Sequence, residues 1–273
     1  MGLRIGTNVQ SLTAQRNLGR ATNALNRNFE HLSTGRRISS ARDDAAGLGI
    51  AARFQAQVKS MDAAVRNAND GVSLVQTAEG GLAEIESSLI RMRELAVQAN
   101  NGTLSSGDRS NLQAEFAQLI SGIDQVAAST TFNSIQLLNS TTATTLQIGT
   151  GVVAAVDTLA VTAVDVDSTT LTVATLDISS GSTTTAIGAI DTALNSVTTA
   201  RGGFGAIQNR LDSTIDGLLI TQENLASARS RIIDVDVAAE TAELTKNSIL
   251  QQAALSVLAQ ANNQPLSALS LLQ

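Results

Sequence analysis

The chain has 273 residues, a net charge of −6, no cysteine, tryptophan or tyrosine, and a single histidine, His31. This composition excludes disulfides, thiolate metal sites and histidine-cluster zinc sites, and His31 has no nucleophile elbow to work with. Basic residues predominate before residue 60 and acidic residues after it. That asymmetry suits self-association. Nucleic-acid binding fits less well, because no aromatic stacking residues accompany the arginines.

Leucines at seven-residue spacing predict the first helix: Leu18, Leu25 and Leu32. We expect a break at Thr34-Gly35 to end it, since glycine tolerates the left-handed conformation found at helix ends. The basic, acid-poor N-terminal region also resembles an organelle transit peptide, an interpretation that leaves the rest of the chain unexplained. It lacks the apolar segment of an ordinary secretory signal.

From Leu48 to Ala99, apolar residues alternate spacings of three and four with one slip. An average spacing of 3.5 residues keeps one stripe facing a partner helix and is typical of coiled coils. The seam includes Val65, Val72, Leu82 and Leu89.

Fifty-odd residues predict a helical rod roughly 80 Å long. Asn100-Asn101-Gly102 should end it. A second helix from about Arg109 to Ala128 could fold back beside the first, since its apolar residues share one face.

Residues 139–186 change character, because Thr, Ser, Val and Asp dominate and Lys and Arg are absent. Short alternations at Leu146-Gln-Ile148 and Val161-Thr-Ala163 predict β-hairpins, since β-branched residues favour strands. A low-complexity disordered insert is the alternative.

Helical periodicity returns with Ile187, Ile190, Leu194 and Val197, and Gly202-Gly203 is a candidate bend. A seven-residue repeat then predicts a second seam helix through Leu211, Leu218, Leu225, Ile232 and Ala239.

A separate amphipathic helix is predicted from Ser248 to Ala261, closed by Pro265. Its apolar residues include Ile249, Ala253, Val257, Leu258 and Ala261. Amphipathic helices at both ends of a chain cannot bury their apolar faces alone. They can pack on each other, on neighbouring copies or on a membrane. A membrane surface is disfavoured because the C-terminal helix has little basic charge, and no apolar run reaches the length of a membrane span.

The sequence offers few candidate sites for catalysis, metal binding or modification. Asp165-Val-Asp167 and Asp234-Val-Asp236 resemble fragments of oxygen-ligand metal sites, but neither continues into a calcium loop, and solvated or capping roles fit better. Asn101-Gly-Thr103 and Asn139-Ser-Thr141 match the N-glycosylation acceptor only by sequence. We therefore predict no catalytic residues, no metal and no cofactor.

Seven long stretches of this chain resemble bacterial flagellins. They are HLSTGRRISSARDDAAGLGIAARF (31–54), RNANDGVSLVQTAEG (66–80), RMRELAVQAN (91–100), TTFNSIQLLN (130–139), GAIQNRLDSTI (205–215), LASARSRIIDVDVAAE (225–240) and SILQQAALSVLAQAN (248–262). The resemblance covers roughly residues 1–140 and 186–273. Departures occur at Gly6, where the family often has Asn, and at Val237, where it often has an aromatic residue.

The resemblance implies a mainly α fold, a long antiparallel coiled-coil helical bundle with a small β-hairpin region. Residues 1–40 and 240–273 would form the inner filament-core domain. Residues 41–239 would form a rod domain that includes the β-rich segment at about 140–186, with little or no outer domain.

The implied function is that of a structural subunit that assembles into the extracellular flagellar filament used for motility. The implied partners are further copies of the chain, the export apparatus, a secretion chaperone and the filament cap, with type III export and no cleaved signal peptide. The terminal helices would polymerise through the apolar positions named above. Neither nucleic-acid binding nor membrane insertion is expected.

The resemblance also marks a stretch recognised by a host Toll-like receptor, Leu89 to Gln98, with Arg91 and Leu95 central and Glu115 on the adjacent helix. From the residues alone, Leu95 could instead pack on neighbouring helices, and Arg91 and Glu115 could be interhelical charge partners.

Three other functions compete. A hook–filament junction protein of related architecture should match the long stretches poorly. An adhesin or signalling ligand would need a larger binding domain with aromatic residues. A metallopeptidase insert would need an H-E-x-x-H stretch, which is absent from the sequence.

Overall fold

The computed structural model describes residues 7–180 and 182–270, apart from the side chains of Ala155 and of residues 265–270. The described chain is mainly helical, as predicted. The helices are α1 (Val9–Thr34), α2 (Ala45–Ala99), α3 (Ser106–Ser129), α4 (Ala154–Asp157), α5 (Thr183–Ile233) and α6 (Val237–Ser270). The strands are β1 (Thr131–Phe132), β2 (Ile135–Gln136), β3 (Ala143–Gln147) and β4 (Thr158–Thr162).

The chain divides into two packing units. Unit 1 comprises Met1–Ala56 and Glu223–Gln273, and unit 2 comprises Gln57–Gln222. In the part of the chain that the structure describes, no helix is both long and apolar enough to cross a membrane.

Helix α1 begins and ends where its local chemistry dictates. The Asn8 side chain accepts a hydrogen bond from the Ser11 N–H at 3.0 Å and so satisfies one of the free donors of the first turn. Gly35 follows the last turn with φ 68°, a conformation that costs glycine little. The predicted end at Thr34-Gly35 is confirmed.

Helices α2 and α3 are joined by the predicted Asn100-Asn101-Gly102 turn. Ser105 and Asp108 then form a reciprocal capping box, in which each side chain accepts from the other's backbone N–H. The Ser105 hydroxyl also donates to the Asp108 carboxylate and lowers the pKa of that carboxyl. The capping box places the start of α3 at Ser106, three residues before the predicted one.

The middle of the chain contains two antiparallel hairpins. Strands β3 and β4 pair with Leu146 opposite Leu159 and Thr144 opposite Val161, so the hairpin predicted from these alternations is confirmed, and the disordered alternative is wrong for the described residues. Strands β1 and β2 form a shorter hairpin that the sequence analysis missed. Its turn places Asn133 and Ser134 at positive φ.

The core of unit 2 joins side chains from its helices and both hairpins. Leu82, Leu89, Phe116, Ile190 and Leu211 are each 0% exposed. Side chains of α3 accept hydrogen bonds from the segment that follows β4 and hold it against the helix. Gln113 accepts from the Ile178 N–H at 2.8 Å, and Asp124 accepts from both the N–H and the hydroxyl of Ser168.

The C-terminal helices differ from the prediction in two ways. Helix α5 ends at Ile233, so Ala239 does not continue its seam and lies instead in α6. Helix α6 begins at Val237, because Asp236 accepts from the Ala238 and Ala239 N–H groups and caps it there. The expected separate helix from Ser248 is therefore wrong. The helix also continues to Ser270, so Pro265 does not close it.

Candidate assembly interface

Helices α1 and α6 pack side by side within unit 1. They are antiparallel, because the N-terminal end of α1 contacts the C-terminal part of α6 and the C-terminal end of α1 contacts the start of α6. Both contact lines alternate spacings of three and four, which is the coiled-coil pattern. The less exposed line on α1 is Ser11, Ala14, Leu18, Ala21, Leu25, Asn28 and Leu32, and the line on α6 is Glu240, Leu244, Asn247, Gln251, Ala254, Leu258 and Ala261.

Polar side chains interrupt this seam at fixed points. Asn28 is 9% exposed. Its Nδ2 donates to Glu240 Oε1 at 2.6 Å, while its Oδ1 accepts from Asn247 Nδ2 at 2.8 Å. His31 Nδ1 lies 3.1 Å from the same Glu240 oxygen. A buried amide at a seam position specifies the register of a coiled coil, because any slip leaves it unpaired.

The sequence analysis missed this polar cluster. The signal was available, because Asn28 falls between Leu25 and Leu32 in the three-four pattern of the predicted first helix. A second polar contact lies further along the seam, where Gln251 Nε2 donates to Thr22 Oγ1 at 3.2 Å.

Large apolar side chains of these helices also remain exposed beside the seam. Ile249 is 60% exposed and Val257 is 55% exposed, whereas Leu258 lies half-buried against α1. Of the predicted apolar residues Ile249, Ala253, Val257 and Ala261, only Ala261 is buried within a single copy, and the other three remain exposed. Among the described side chains, the exposed large apolar residues, which form the outward faces of the two helices, are Val9, Leu12, Phe29, Val237, Ile249, Leu250, Leu255 and Val257.

The predicted seam residues of the longer helices differ in how far they are buried. Leu82, Leu89 and Leu211 lie in the core of unit 2. Val65, Val72, Leu218, Leu225 and Ile232 are half-buried.

Arg91, Leu95 and Glu115 lie in unit 2, on α2 and α3. Arg91 Nη2 donates to Glu115 Oε1 at 2.8 Å, and its Nη1 donates to Glu94 at 2.9 Å. Both side chains of the Arg91–Glu115 pair are about half exposed, and the Glu115 contact raises the pKa of Arg91. Leu95 is 1% exposed and belongs to the core. The Arg91 and Glu115 side chains therefore lie at the surface of unit 2, whereas Leu95 lies in its core.

The α2–α5 contact within unit 2 carries further ion pairs. Arg93 Nε donates to Asp191 Oδ1 at 2.7 Å. Arg201 pairs with Glu86 and, at 3.4 Å, with Glu79. Arginine is suited to such contacts because its planar fork offers several donors at once.

The loop before α2 is organised by one carboxylate. Asp43 accepts from the N–H and hydroxyl groups of Ser39 and Ser40, at 2.9–3.1 Å. These bonds, led by the Ser40 N–H, lower the pKa of Asp43 from 3.8 to about 2.

The acidic pairs considered as metal fragments have structural partners. Asp167 accepts from the Thr170 N–H at 2.6 Å, and Asp236 caps α6. Among the described residues, no group of three His, Cys, Asp or Glu side chains could hold a metal ion.

Comparisons with known proteins match the regions toward both ends of the chain. The family model for the bacterial flagellin N-terminal helical region matches residues 5–143, and the model for the C-terminal helical region matches residues 187–272. A flagellin of Halalkalibacterium halodurans is 44% identical over 98% of this chain and 99% of its own length. The flagellin of Bacillus subtilis is 39% identical over 99% of this chain and 100% of its own length.

Solved structures show the same fold. The crystal structure of Bacillus cereus flagellin superposes with a TM-score of 0.51 at 32% identity, covering 56% of this chain and 88% of that chain.

Proposed function

Because this chain belongs to the bacterial flagellin family and is a structural subunit of the extracellular flagellar filament, we propose that its copies polymerise through the outward faces of α1 and α6. The chain is a structural protein and not an enzyme. The two relatives described above align over nearly the full length of this chain and are flagellins, and none of these findings favours the hook–filament junction alternative.

The observation that supports this proposal is the distribution of apolar residues on α6. Leu258 lies half-buried at the seam with α1, whereas Ile249, Leu250 and Val257 remain largely exposed. Large apolar side chains that a helix leaves exposed indicate a surface that a partner can cover. Burying the exposed part of each side chain contributes on the order of 1 kcal/mol, so several per copy add up to a substantial driving force.

The geometry of the contact favours an open polymer. The outward faces of α1 and α6 carry different residues, so a contact between copies joins unlike surfaces. Unlike surfaces that do not close into a ring generate a helical array. The buried cluster around Asn28 keeps α1 and α6 in one register, so each copy presents the same outward pattern to its neighbours.

Two substitutions on α6 test this proposal. Val257→Asp adds a charge to the outward apolar face, where burial against a neighbour would leave it unpaired. Gln252→Asp adds the same charge at an exposed position that is already polar. Both variants should keep the wild-type helix content as monomers. Sedimentation after seeding should show polymer from Gln252→Asp and none from Val257→Asp, and equal polymer from both would overturn the proposal.

We further propose that residues 1–40 and 240–273 form the inner filament-core domain and residues 41–239 the rod domain. The division into two packing units, with the chain ends together in unit 1, supports this arrangement. Limited proteolysis of the monomer should release the terminal segments first and leave a resistant fragment centred on residues 57–222. An early cut within that fragment would contradict the assignment.

Export is proposed to use the flagellar type III apparatus, a secretion chaperone and the filament cap, without a cleaved signal peptide. The absence of cysteine supports a route taken by an unfolded chain, since no disulfide has to form afterwards. In a flagellated bacterium, secreted chain should keep its N-terminal residues and disappear when the export apparatus is disabled. Secretion that continues without the apparatus would refute this route.

A host Toll-like receptor is the last proposed partner, through the surface formed by Arg91 and Glu115. Both side chains are about half exposed in the monomer, which supports access to a receptor. Reporter cells should respond to soluble monomer, and Arg91→Ala should weaken that response while Gln118→Ala, on the exposed side of α3, should not. No response to the wild-type monomer at high dose would refute this partner.

A further inference from the structure

The turn between α2 and α3 contains the sequence Asn101-Gly102, the one Asn-Gly pair in the chain. Both residues are exposed. From this turn we infer a covalent modification site, at which Asn101 converts spontaneously to aspartate and isoaspartate.

The reaction needs the backbone nitrogen of the following residue as its nucleophile. After that nitrogen loses its proton, it attacks the Asn101 side-chain carbonyl carbon. The new nitrogen–carbon bond closes a five-membered succinimide, while the carbon–Nδ2 bond breaks and ammonia leaves. Water then adds to one of the two ring carbonyls. Opening on one side gives aspartate, and opening on the other gives isoaspartate, with no oxidant or reductant.

The local geometry exposes the nucleophile. Within the described part of the chain, no hydrogen bond from the Gly102 N–H is found, although its neighbours are engaged: Asn101 N–H donates to Gln98 O, and Leu104 N–H donates to Asn101 O. Glycine has no Cβ to hinder the approach and reaches the conformations that ring closure requires. An asparagine inside a helix is protected, because the next N–H is committed to the helical ladder.

The side-chain carbonyl that the nitrogen attacks is also engaged in a hydrogen bond. Asn101 Oδ1 accepts a hydrogen bond from the Thr103 N–H at 3.2 Å. This bond holds the side chain over the backbone of the turn and withdraws electron density from the carbonyl carbon that is attacked.

Arg109 lies beside the site. Its Nη2 donates to the Asn101 backbone oxygen at 3.3 Å, and its buried Nε has no hydrogen-bond partner among the described residues. A guanidinium at this distance favours the amide anion that attacks and the carboxylate that forms. Each conversion adds one negative charge beside Arg109, and the isoaspartyl product adds one methylene to the main chain between α2 and α3.

The chain offers two matched controls. Asn139-Ser140 is an exposed asparagine in another loop, followed by a residue with a Cβ. Gly102→Ala alters the nucleophile alone, because a Cβ at Gly102 meets no atom within 4 Å and the residue does not have positive φ. That variant should therefore fold like the wild type while losing most of its reactivity.

The test is peptide mapping by mass spectrometry of purified chain aged at neutral and mildly alkaline pH, with isoaspartate detected by enzymatic methylation. Residue 101 should convert roughly tenfold faster than Asn139, and Gly102→Ala should slow it to a similar extent. Conversion should also speed up as the pH rises, since the nucleophile is a deprotonated amide.

A synthetic peptide spanning residues 94–109, incubated in the same way, gives the reference rate of conversion. If Asn101 stays an amide in the folded chain while the peptide converts, the inference is wrong. It is equally wrong if Gly102→Ala leaves the rate at residue 101 unchanged.

Discussion

Two neighbouring glycines in α2 make a sharp test of how unit 2 is packed. A Cβ added at Gly81 would lie 2.6 Å from both Leu138 Cδ1 and Thr130 Oγ1, whereas one added at Gly80 meets nothing within 4 Å. Leu138 is 0% exposed, so any shift it makes must be taken up by its neighbours in the core. The two alanine substitutions are chemically identical and differ only in what surrounds them.

Gly80→Ala should stabilise the chain by about 0.8–1.0 kcal/mol, the helix-propensity difference between the two residues. Gly81→Ala has the same propensity gain but also overpacks the core, which costs about 1–3 kcal/mol. The propensity gain cancels between the variants, so Gly81→Ala should be about 1–3 kcal/mol less stable than Gly80→Ala. At roughly 2–4 °C per kcal/mol for a unit of this size, their Tm values should differ by roughly 2–12 °C.

Thermal unfolding followed by far-ultraviolet circular dichroism measures this difference directly. Gly80→Ala should melt above the wild type, and Gly81→Ala should melt below Gly80→Ala. Equal Tm values for the two variants would show that Leu138 and Thr130, which flank the β1–β2 hairpin, do not pack closely against α2 at Gly81.

Three other perturbations have defined outcomes. Phe116→Ala empties a fully buried position and should lower the free energy of unfolding by about 3–5 kcal/mol in urea titrations; a loss below about 1 kcal/mol would contradict the core position. Arg91→Ala should leave Tm unchanged, because the Arg91–Glu115 pair is half exposed and screened by solvent; a clear fall in Tm would refute that. The folded-state pKa of Asp43 is depressed from 3.8 to about 2, so its stabilising contribution is present above the higher value and is lost as pH falls toward the lower one. Asp43→Asn should therefore show a smaller acid-induced loss in urea midpoint than the wild type, and identical pH profiles would count against the Ser39–Ser40 contacts.

Helix ends were predictable where one residue determines them. Gly35 and Asn100-Asn101-Gly102 ended helices where the sequence indicated. Only Gly35 does so in the left-handed conformation, which favours glycine. The start of α6 was missed because Ala239 extends the seven-residue repeat of α5 across the break at Asp234–Asp236. The repeat counts positions along the chain, whereas the side-chain cap of Asp236 determines where the new helix begins.

The hairpins show how strand length limits prediction. Strands β3 and β4 are five residues each, long enough for alternation to be visible. Strands β1 and β2 have two residues each, and their turn is formed by Asn133-Ser134 at positive φ without any glycine. Two-residue strands carry no periodic signal, so alternation could not predict this hairpin.

The candidate interface was predicted in kind but not in detail. Apolar terminal helices were expected, but the sequence did not show which of their residues pack on each other and which stay exposed. On α6 the residues at the seam include Asn247 and Gln251, while Ile249 and Val257 face outward. Apolarity therefore does not identify the seam here, because polar residues occupy it and apolar residues lie outside it.

Polymerisation of the intact chain is the central claim, and seeded assembly viewed by electron microscopy tests it most directly. Purified full-length chain added to filament fragments should grow long filaments of uniform width. A chain lacking residues 250–273 should retain the helix content of unit 2 yet form none. Regular filaments from the truncated chain, or a full-length chain that stays monomeric beside seeds, would contradict assembly through the terminal helices.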